Sequence, residues 1–426
     1  MKIKNCDIAV IGSGPGGLAA ALAARQNGAK NVLLIERDKE PGGILLQCIH
    51  NGFGVEIFKK DLPGPAYAQH FINEAEKAGV QFLLDTMVLE ITKDKRIFAS
   101  NKNEGMLEIQ AKAIILAMGC RERTRAQVRL PGTRPAGVYT AGTAQRWVNV
   151  EGFMPGKKIV ILGSGDIGMI MARRLTFEGA KVERVLEIMP YLSGLMRNYV
   201  QCLQDFGIPL QMQHTVKRII GNERVEAIET VAIDDRWQEV AGSEEIIPCD
   251  TLLLSVGLIP ENELSRQVGI QLDPLTSGPF VDNYFQTNVE GFFAAGNVVH
   301  VYDLVDWVTG AGLRAGKSAA LYASGKLQTN QKISIQHGQN VHHVIPHFLD
   351  IDSLVSHEEQ LQMRVTKPLE HPVKVQVTDG KEEIIASKAL PYARPGEMVT
   401  ISLKDKHIDL LKKAEQLAVQ VVEREE

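Results

Sequence analysis

A glycine-rich turn that occurs twice constrains the fold of this chain more than any other feature of its sequence. The turns at Gly12–Gly17 and Gly163–Gly168 both read Gly-x-Gly-x-x-Gly, and the second lies 151 positions after the first. Each turn follows an apolar run and precedes a helical pattern. An acid stands 19 residues after the last glycine of each turn, Glu36 in the first copy and Glu187 in the second. This order predicts strand, turn, helix and strand, twice over.

The chemistry of nucleotide binding explains why such a pattern needs three glycines. The first allows a tight bend, the second lets a pyrophosphate approach the backbone, and the third lets the helix pack on the strand. The helix then begins at the phosphate, where its unpaired N–H groups and its dipole favour an anion. A carboxylate at the end of the second strand accepts a hydrogen bond from a ribose hydroxyl. The sequence therefore predicts an α/β fold with two Rossmann-like dinucleotide-binding domains.

The second acid also indicates which nicotinamide nucleotide is bound. The carboxylate of Glu187 would repel a 2′-phosphate, and the residues that follow it, Ile188–Pro190, include no arginine that would neutralise one. We therefore expect NAD(H) rather than NADP(H) in the second domain.

Further apolar runs define the domain organisation. Each copy has another apolar strand that ends in glycine, Gly119 in the first and Gly257 in the second. Alternating segments at about 80–110 predict an antiparallel meander, and a strand–turn–helix pattern returns at Gly291–Asn297. We therefore expect the second domain to be inserted into the first. The predicted boundaries are 1–150 and 261–326 for the first domain, 151–260 for the second, and 327–426 for a small mixed C-terminal domain.

The pattern changes in the C-terminal hundred residues. Alternation at 373–377, an Asp-Gly turn, and apolar runs at 384–385 and 399–403 predict strands. Apolar residues between Ile408 and Val422 recur at helical spacing, which predicts that the domain ends in an amphipathic helix. We expect this domain to bury a subunit interface, or else to cover the core as a lid.

Two groups of polar residues near the last domain boundary are interpreted as structural. Four histidines, none with a carboxylate at ligand spacing, are expected to lie in a solvated loop and to bind no metal. They are His337, His342, His343 and His347. Asp303 and Asp306 precede the predicted helix after Gly291–Asn297 as N-caps or first-turn acids, and we favour capping.

Together these segments resemble the two-dinucleotide-binding-domain flavoproteins of the pyridine nucleotide-disulfide reductase superfamily, over residues 5–325. The resemblance implies that the first turn binds FAD, that the segment at Gly296 meets the flavin ribitol and pyrophosphate, and that the second turn binds NAD(H). The superfamily usually has aspartate where this chain has Asn297, and an amide still bonds a ribitol hydroxyl. The residues implied for FAD are Gly12, Gly14, Pro15, Gly16, Gly17, Glu36, Arg37, Gly43, Gln47, Gly119, Gly296 and Asn297. Those implied for NAD are Gly163, Gly165, Asp166, Ile167, Gly168, Glu187 and Gly257.

A closer likeness rests on three shorter segments. Gly42–Phe53, Cys120–Arg123 and Pro131–Gly137 resemble the flavoprotein associated with anaerobic glycerol-3-phosphate dehydrogenase. They are similar, less closely, to the larger subunits of opine oxidase and hydrogen cyanide synthase. In those systems one subunit oxidises the substrate with its own flavin, and the subunit of this type handles electrons. The resemblance implies a partner flavoprotein dehydrogenase for this chain.

The cysteines limit the chemistry at the flavin. Disulfide reductases of this superfamily carry C-x-x-x-x-C after the Gly-Gly turn or C-x-x-C in the second domain; this chain has only Cys48 in the first place and no cysteine pair in the second. A dithiol relay is therefore not expected. Cys48 or Cys120 could instead cycle through a sulfenic acid, and His50 could pass a proton to the flavin. Each of the three could equally have a structural role.

Composition narrows the function further. The chain has 426 residues and a net charge of −4, so neither nucleic acid nor an anionic membrane is an expected partner. No apolar run approaches the ~20 residues of a membrane span, and five widely spaced cysteines favour a reducing cytoplasm. We expect an oligomeric, FAD-dependent NAD(H):acceptor oxidoreductase that serves as an electron-transfer subunit. The alternatives are a free-standing NADH oxidase or peroxidase, and a non-catalytic module that binds flavin or an adenine nucleotide.

Overall fold

The structure is a computed structural model, and it describes residues 2–328, 330–355, 357–381 and 383–424. The chain divides into two compact units, the first made of Met1–Cys120 and Pro260–Glu426 and the second of Arg121–Ile259. This division corrects the predicted boundary at residue 150. The segment before that residue belongs to the second unit because its strand at Val138–Thr140 pairs with the strand at Thr251–Leu254.

The first unit is built around a largely parallel sheet. Up to residue 120 its elements are β1 (Lys2–Ile11), α1 (Pro15–Gln26), β2 (Val32–Ile35), α2 (Gly64–Lys77), β3 (Gln81–Leu83), β4 (Thr86–Ile91), β5 (Arg96–Asn101) and β6 (Gly105–Leu116). The strand order is β3-β2-β1-β6-β5-β4. The neighbouring strands β3, β2, β1 and β6 run parallel to one another. The strands β6, β5 and β4 form the predicted antiparallel meander. Ile8, Ala9 and Val10 are fully buried, as expected for a parallel strand covered on both faces.

The second unit repeats this strand order. Its elements, with those at its two boundaries, are β7 (Cys120–Glu122), β8 (Val138–Thr140), α3 (Ala141–Arg146), β9 (Lys158–Leu162), α4 (Asp166–Phe177), β10 (Lys181–Glu187), α5 (Met196–Cys202), β11 (Leu210–Met212), β12 (His214–Gly221), β13 (Val225–Ala232), β14 (Glu245–Pro248), β15 (Thr251–Leu254) and β16 (Leu258–Pro260). Its parallel sheet has the order β11-β10-β9-β15-β8. The strands β10, β9 and β15 thus take the places of β2, β1 and β6. A separate antiparallel sheet contains β12, β13 and β14.

The chain then returns to the first unit and packs a long helix on α1. The elements of this segment are α6 (Glu263–Gln267), β17 (Phe292–Ala294) and α7 (Val305–Ala323). A Cβ on Gly312 of α7 would lie only 2.2 Å from the carbonyl oxygen of Gly16, and one on Gly316 would lie 2.1 Å from that of Ala20. The missing side chains therefore let the two helix backbones touch. In the described ranges, no helix has both the length and the apolar character that crossing a membrane requires.

The C-terminal region has two further sheets and an apolar core of its own. Its elements are β18 (Lys332–His337), β19 (Val341–Ile345), β20 (Phe348–Asp350), β21 (Glu359–Val365), β22 (Val373–Thr378), β23 (Ile384–Leu390), β24 (Val399–Leu403), α8 (Ile408–Leu411) and β25 (Gln416–Glu423). The sheet orders are β20-β18-β25-β22-β23 and β19-β21-β24. The strands predicted from apolar alternation are therefore present as β22, β23 and β24.

The predicted C-terminal amphipathic helix is wrong. Only the four residues of α8 are helical, and β25 follows. The side chains of Leu417, Val419 and Val421 are buried in alternation along β25, which pairs with β22 on one edge and β18 on the other. The same apolar residues fit a period of two as well as a helical period. Pairing on both edges, which is invisible in the local sequence, decides for the strand.

The prediction that the four histidines form a solvated loop is also wrong. His343 in β19 and His347 are each 7% exposed, and they lie near His300, which is 1% exposed. His337 and His342 are at the surface. Within the described residues, no three His, Cys, Asp or Glu side chains are arranged to hold a metal ion.

Acid is expected to destabilise the protein through these buried rings. Burial lowers the pKa of His343 from its ordinary value to about 3 and holds that of His300 well below its usual range. The unfolded chain therefore takes up protons first, and each ring costs about 1.4 kcal/mol of stability per pH unit below the unfolded pKa of about 6.5. Denaturant unfolding from pH 7.5 to 5 measures this loss, and His343→Gln should show a shallower decline. An identical decline in both proteins would contradict the prediction.

Candidate functional site

The turn between β1 and α1 has the geometry that its three glycines predict. Gly12 has a φ of 100°, and a Cβ there would lie 2.4 Å from the carbonyl oxygen of Ala117. A Cβ on Gly17 would lie 1.8 Å from the carbonyl oxygen of Gly12. Neither position accepts a side chain, so the first and third glycines serve the bend and the packing of α1 on the sheet.

Glu36 at the end of β2 is fixed by hydrogen bonds to this turn. Its buried carboxylate accepts from the Ser13 N–H at 2.8 Å, from the Ser13 hydroxyl at 2.6 Å and from the Asp38 N–H at 3.0 Å. Sequence reasoning missed Ser13, although the same residue type recurs in the second fingerprint as Ser164. Because several donors hold it, the carboxylate has a defined orientation at the edge of the turn.

Several predicted FAD residues from distant parts of the chain converge on the start of α1. A Cβ on Gly43 would lie 2.9 Å from Cα of Gly14, and a Cβ on Gly296 would lie 3.9 Å from Cα of Gly16. A Cβ on Gly14 itself would meet no heavy atom of the described residues within 4 Å. The space in front of the α1 N-terminus is thus open. Pro15 is the first residue of the helix, where an N–H group would have no partner within the helix, so its missing N–H costs no hydrogen bond. This cradle fits the pyrophosphate of a dinucleotide.

The start of α7 is tied to the loop that follows the Gly-Gly turn. Asp306 is buried, and its carboxylate accepts from the Gly54 N–H at 3.2 Å and from the Ile57 N–H at 3.1 Å. Asp303 instead forms an ion pair with Arg364. The prediction that both acids cap α7 is therefore wrong, because a distant loop and a distant cation bind them, whereas the alternative of a first-turn acid holds for Asp306. The N-cap residue is Leu304, without a side-chain cap.

Asn297 bridges two segments that the resemblance places at the flavin. Its Oδ1 accepts from the Tyr302 N–H at 3.2 Å, and its Nδ2 donates to Sγ of Cys120 at 3.6 Å. Gly119, with a φ of 74°, immediately precedes that cysteine. An aspartate could not donate to the sulfur, so the amide at position 297 matches the presence of Cys120.

The remaining predicted flavin residues lie around the turn after Gly43. Gln47 is buried, and the Cys48 thiol donates to the carbonyl oxygen of Ile44 at 3.3 Å. His50 donates through Nδ1 to the carbonyl oxygen of Asn51 at 2.8 Å, which leaves its role in proton transfer a prediction. Arg37 is exposed, and the described residues offer it neither a hydrogen bond nor an ion pair.

Replacing Cys48 with serine is expected to have little effect on turnover. Burial raises the pKa of the Cys48 thiol to about 12, so the thiolate that a sulfenic acid cycle requires is scarce at neutral pH. We expect Cys48→Ser to keep peroxide-dependent and peroxide-independent NADH oxidation within about twofold of the parent protein. Steady-state assays with and without hydrogen peroxide test this, with Cys120→Ser for comparison. A selective loss of the peroxide-dependent rate would restore the redox interpretation of Cys48.

The second fingerprint has the same hydrogen bonds as the first. Glu187 accepts from the Ser164 N–H at 2.9 Å, from the Ser164 hydroxyl at 2.5 Å and from the Met189 N–H at 2.9 Å. Gly163 has the same φ of 100° as its counterpart in the first copy. Position 189 also lies 151 residues after Asp38. The repeat therefore extends beyond the glycines to the bonds that orient the acid.

The two cradles differ at two positions, one after the acid and one at the start of the helix. Gly42 of the first copy corresponds to Ser193, whose hydroxyl donates to Glu187 at 2.9 Å as one more bond on that carboxylate. Pro15 corresponds to Asp166, whose Oδ1 accepts from the Leu195 N–H at 2.9 Å and from the Asn198 amide at 2.6 Å. These donors engage the Asp166 carboxylate within the protein, so the start of α4 remains suited to a phosphate.

The protein's part in the chemistry of these cradles is to bind and orient. When bound, FAD and a nicotinamide nucleotide supply the hydride exchange themselves. The turns would hold the phosphates at two helix N-termini, and the acids would bond ribose hydroxyls. The residues present therefore fit one dinucleotide in each unit.

Known proteins share this arrangement. The family model described as pyridine nucleotide-disulphide oxidoreductase matches residues 6–314. An opine oxidase subunit of Agrobacterium tumefaciens (strain Ach5) is 25% identical over 339 residues, or 75% of this chain and 64% of the relative. The HcnB subunit of hydrogen cyanide synthase from Pseudomonas protegens is 23% identical over 75% of this chain and 68% of the relative. A crystal structure of T. acidophilum thioredoxin reductase has a TM-score of 0.61 and 24% identity, covering 76% of this chain and 99% of that one.

The extent of these matches limits what they show. The chain spans 64% and 58% of the two opine oxidase relatives that it matches, so their whole activity does not transfer with the match. The structural likeness confirms the predicted α/β fold with Rossmann-like sheets. The family match covers both fingerprints and confirms the expectation of FAD together with NAD(P)H. This chain belongs to the pyridine nucleotide-disulphide oxidoreductase family and is an FAD-dependent pyridine nucleotide oxidoreductase.

Proposed function

We propose that this protein is an NAD(H):acceptor oxidoreductase that passes electrons between NAD and a partner flavin dehydrogenase. The observation that carries the proposal is that two cradles orient their acids with the same hydrogen bonds, while the sequence has Phe53 where a C-x-x-x-x-C motif would have its second cysteine. Two nucleotides would then be bound, and no cysteine pair next to the flavin would relay electrons to a disulfide substrate. The acceptor must therefore take its electrons from the flavin by another route.

The names of the relatives support a partner protein. The relatives from opine oxidase and from hydrogen cyanide synthase are both subunits by name. The three segments quoted in the sequence analysis favour a glycerol-3-phosphate dehydrogenase-like partner. A sugar-phosphate dehydrogenase would send electrons toward NAD⁺, and in isolation the protein would oxidise NADH with a dye.

The environment of Glu187 supports NAD(H) over NADP(H). Several N–H and O–H donors fix its carboxylate at the position that would otherwise receive a 2′-phosphate. Two negative groups in one place repel each other, and the residues directly after Glu187 supply no cation. The same carboxylate bonds the ribose 2′-hydroxyl of NADH.

Anaerobic mixing of the FAD-loaded protein with NADH tests the proposal. We expect rapid bleaching of the flavin absorbance by NADH and much slower bleaching by NADPH. An unchanged spectrum would contradict the proposal and favour a non-catalytic binding module. Reoxidation assays with ferricyanide, oxygen and hydrogen peroxide then follow. Fast turnover with oxygen or peroxide in the isolated chain would favour a free-standing oxidase or peroxidase, whereas a co-purifying flavin dehydrogenase would favour the electron-transfer role.

A further inference from the structure

Three histidine rings run inward from the surface of the first unit. His342 is exposed in β19, and its Nδ1 lies 3.0 Å from Nδ1 of His343. Nε2 of the buried His343 lies 3.4 Å from Nδ1 of His300. His300 stands three positions after Asn297, in the segment that leads to α7. The rings therefore connect solvent with the protein interior through ring nitrogens at hydrogen-bond separations.

The inner end of this histidine chain has unused hydrogen-bonding capacity. Nε2 of His300 and the hydroxyl of Tyr302 are buried, and neither has a hydrogen-bond partner among the described residues. The centroids of the two rings are 4.1 Å apart. A buried polar atom without a partner is costly, and proteins commonly satisfy such atoms with an internal water molecule. Two of them on adjacent rings indicate a site for one small molecule that both donates and accepts hydrogen bonds.

We propose that His342, His343 and His300 conduct protons from solvent to a water molecule bound between His300 Nε2 and the Tyr302 hydroxyl. Each inner ring accepts a proton at Nδ1 and releases one from Nε2. A proton that enters at His342 is thus matched by one that leaves His300 for the water, and no carbon bond changes. The two inner rings return to their starting tautomers when the protons shift back or the rings turn.

The surroundings keep the inner rings in the state that such a relay requires. A neutral imidazole has one donor and one acceptor nitrogen, whereas a charged one has two donors and cannot accept. Burial lowers the pKa of both inner rings, and neighbouring positive charge lowers it further. The titratable and charged groups that influence the histidine chain and Tyr302 are His342, His347, Asp273, Arg364 and Arg314. His343 and His300 are therefore neutral near pH 7.

The use of this path rests on the proposed function. The backbone N–H of Tyr302 donates to Asn297 at 3.2 Å, so the segment that carries His300 and Tyr302 is bonded to the turn that the resemblance assigns to the flavin. Reduction of FAD to FADH₂ by NADH takes one hydride from NADH and one proton from solvent, and leaves NAD⁺. The histidine chain would supply that proton to the neighbourhood of the flavin while the second cradle binds NADH.

Simultaneous measurement of flavin absorbance and proton uptake tests the relay. The FAD-loaded protein is mixed anaerobically with NADH in weak buffer that contains a pH indicator. In the parent protein, proton uptake should keep pace with flavin bleaching. In His342→Ala and His343→Gln, we expect proton uptake to lag behind bleaching by about tenfold or more, while bleaching itself stays within about twofold. Added imidazole should restore uptake in His342→Ala, because that position is exposed.

The matched control is His337→Gln, which removes an exposed histidine of β18 outside the chain of rings. It should behave as the parent protein does. If the variants take up protons as fast as the control, or if the parent protein bleaches without taking up a proton, the relay is wrong. A parent protein that NADH does not bleach would instead refute the proposed function. A high-resolution crystal structure of the FAD-free protein gives a separate readout, and a dry gap between His300 and Tyr302 would also overturn the inference.

Discussion

Replacing Gly14 with alanine is expected to give a folded protein that no longer retains FAD. The protein itself tolerates the change, because Gly14 has a φ of −65° and a ψ of −177° and its Cβ would meet no described heavy atom within 4 Å. In the complex, however, the methyl group would occupy the space of the pyrophosphate. Overpacking by one carbon costs about 1–3 kcal/mol, which corresponds to a loss of about fivefold to more than a hundredfold in FAD affinity.

To separate the effect on FAD binding from any effect on folding stability, the parent protein and Gly14→Ala are first compared without flavin. Their thermal unfolding should coincide, since the methyl group contacts no atom of the described residues, while titration with FAD should separate them. Gly12→Ala provides the contrast, because its Cβ would meet the carbonyl oxygen of Ala117 at 2.4 Å and its φ of 100° is unfavourable for alanine. That variant should lose stability even without flavin. If Gly14→Ala purified with a full complement of FAD, the cradle at α1 would not be the pyrophosphate site.

Replacing Glu187 with alanine is expected to impair the use of NADH and to leave the flavin in place. The change removes the carboxylate that we propose bonds the ribose and that Ser164, Met189 and Ser193 orient. A hydrogen bond to a charged group is worth about 1.5–3 kcal/mol, so the NADH concentration for half-maximal bleaching should rise by about tenfold to a hundredfold. Stopped-flow reduction at varied NADH concentration measures this, with dithionite to show that the flavin remains reducible.

Ser193→Ala is the matched control for that variant. It removes a single donor from Glu187 and keeps the carboxylate, so its effect should be severalfold smaller. Discrimination between NADH and NADPH should also narrow more in Glu187→Ala than in Ser193→Ala, since only the former removes the charge that repels a 2′-phosphate. Equal effects of the two changes, or loss of flavin from either, would contradict the assignment of this cradle.

The sequence revealed both cradles because their chemistry is local. A tight turn, a helix start and an acid at the end of the second strand require three glycines and a carboxylate at fixed spacing, which can be read from the sequence. The supporting groups were missed for the opposite reason. The residues near Asp306 in the sequence do not predict that it accepts hydrogen bonds from the N–H groups of Gly54 and Ile57, because those residues lie about 250 positions earlier. Applying the shift of 151 positions to the residues after Glu36 would have pointed to Ser193 and Gly194.

In parts of the C-terminal region, local sequence patterns do not predict the structure, because it depends on contacts that are distant in the sequence. Residues 408–422 fit a helical period, and only the two neighbouring strands determine that most of them form β25. His343 and His347 carry no signal of burial in their own sequence, because packing against the segment at His300 is a property of the fold. Polar residues that become buried are the hardest class to predict, since composition places them at the surface.

The position of β25 has a consequence for how the protein is made. This strand is synthesised after every other strand described here, yet it lies in the middle of its sheet, between β18 and β22. Until the ribosome has released Gln416–Glu423, those two strands keep open edges that invite wrong pairing or aggregation. The cofactor-binding segments can therefore assemble during translation, whereas the last sheet has to wait. A stop codon at position 416 would remove β25 and leave β18 and β22 without the strand that joins them.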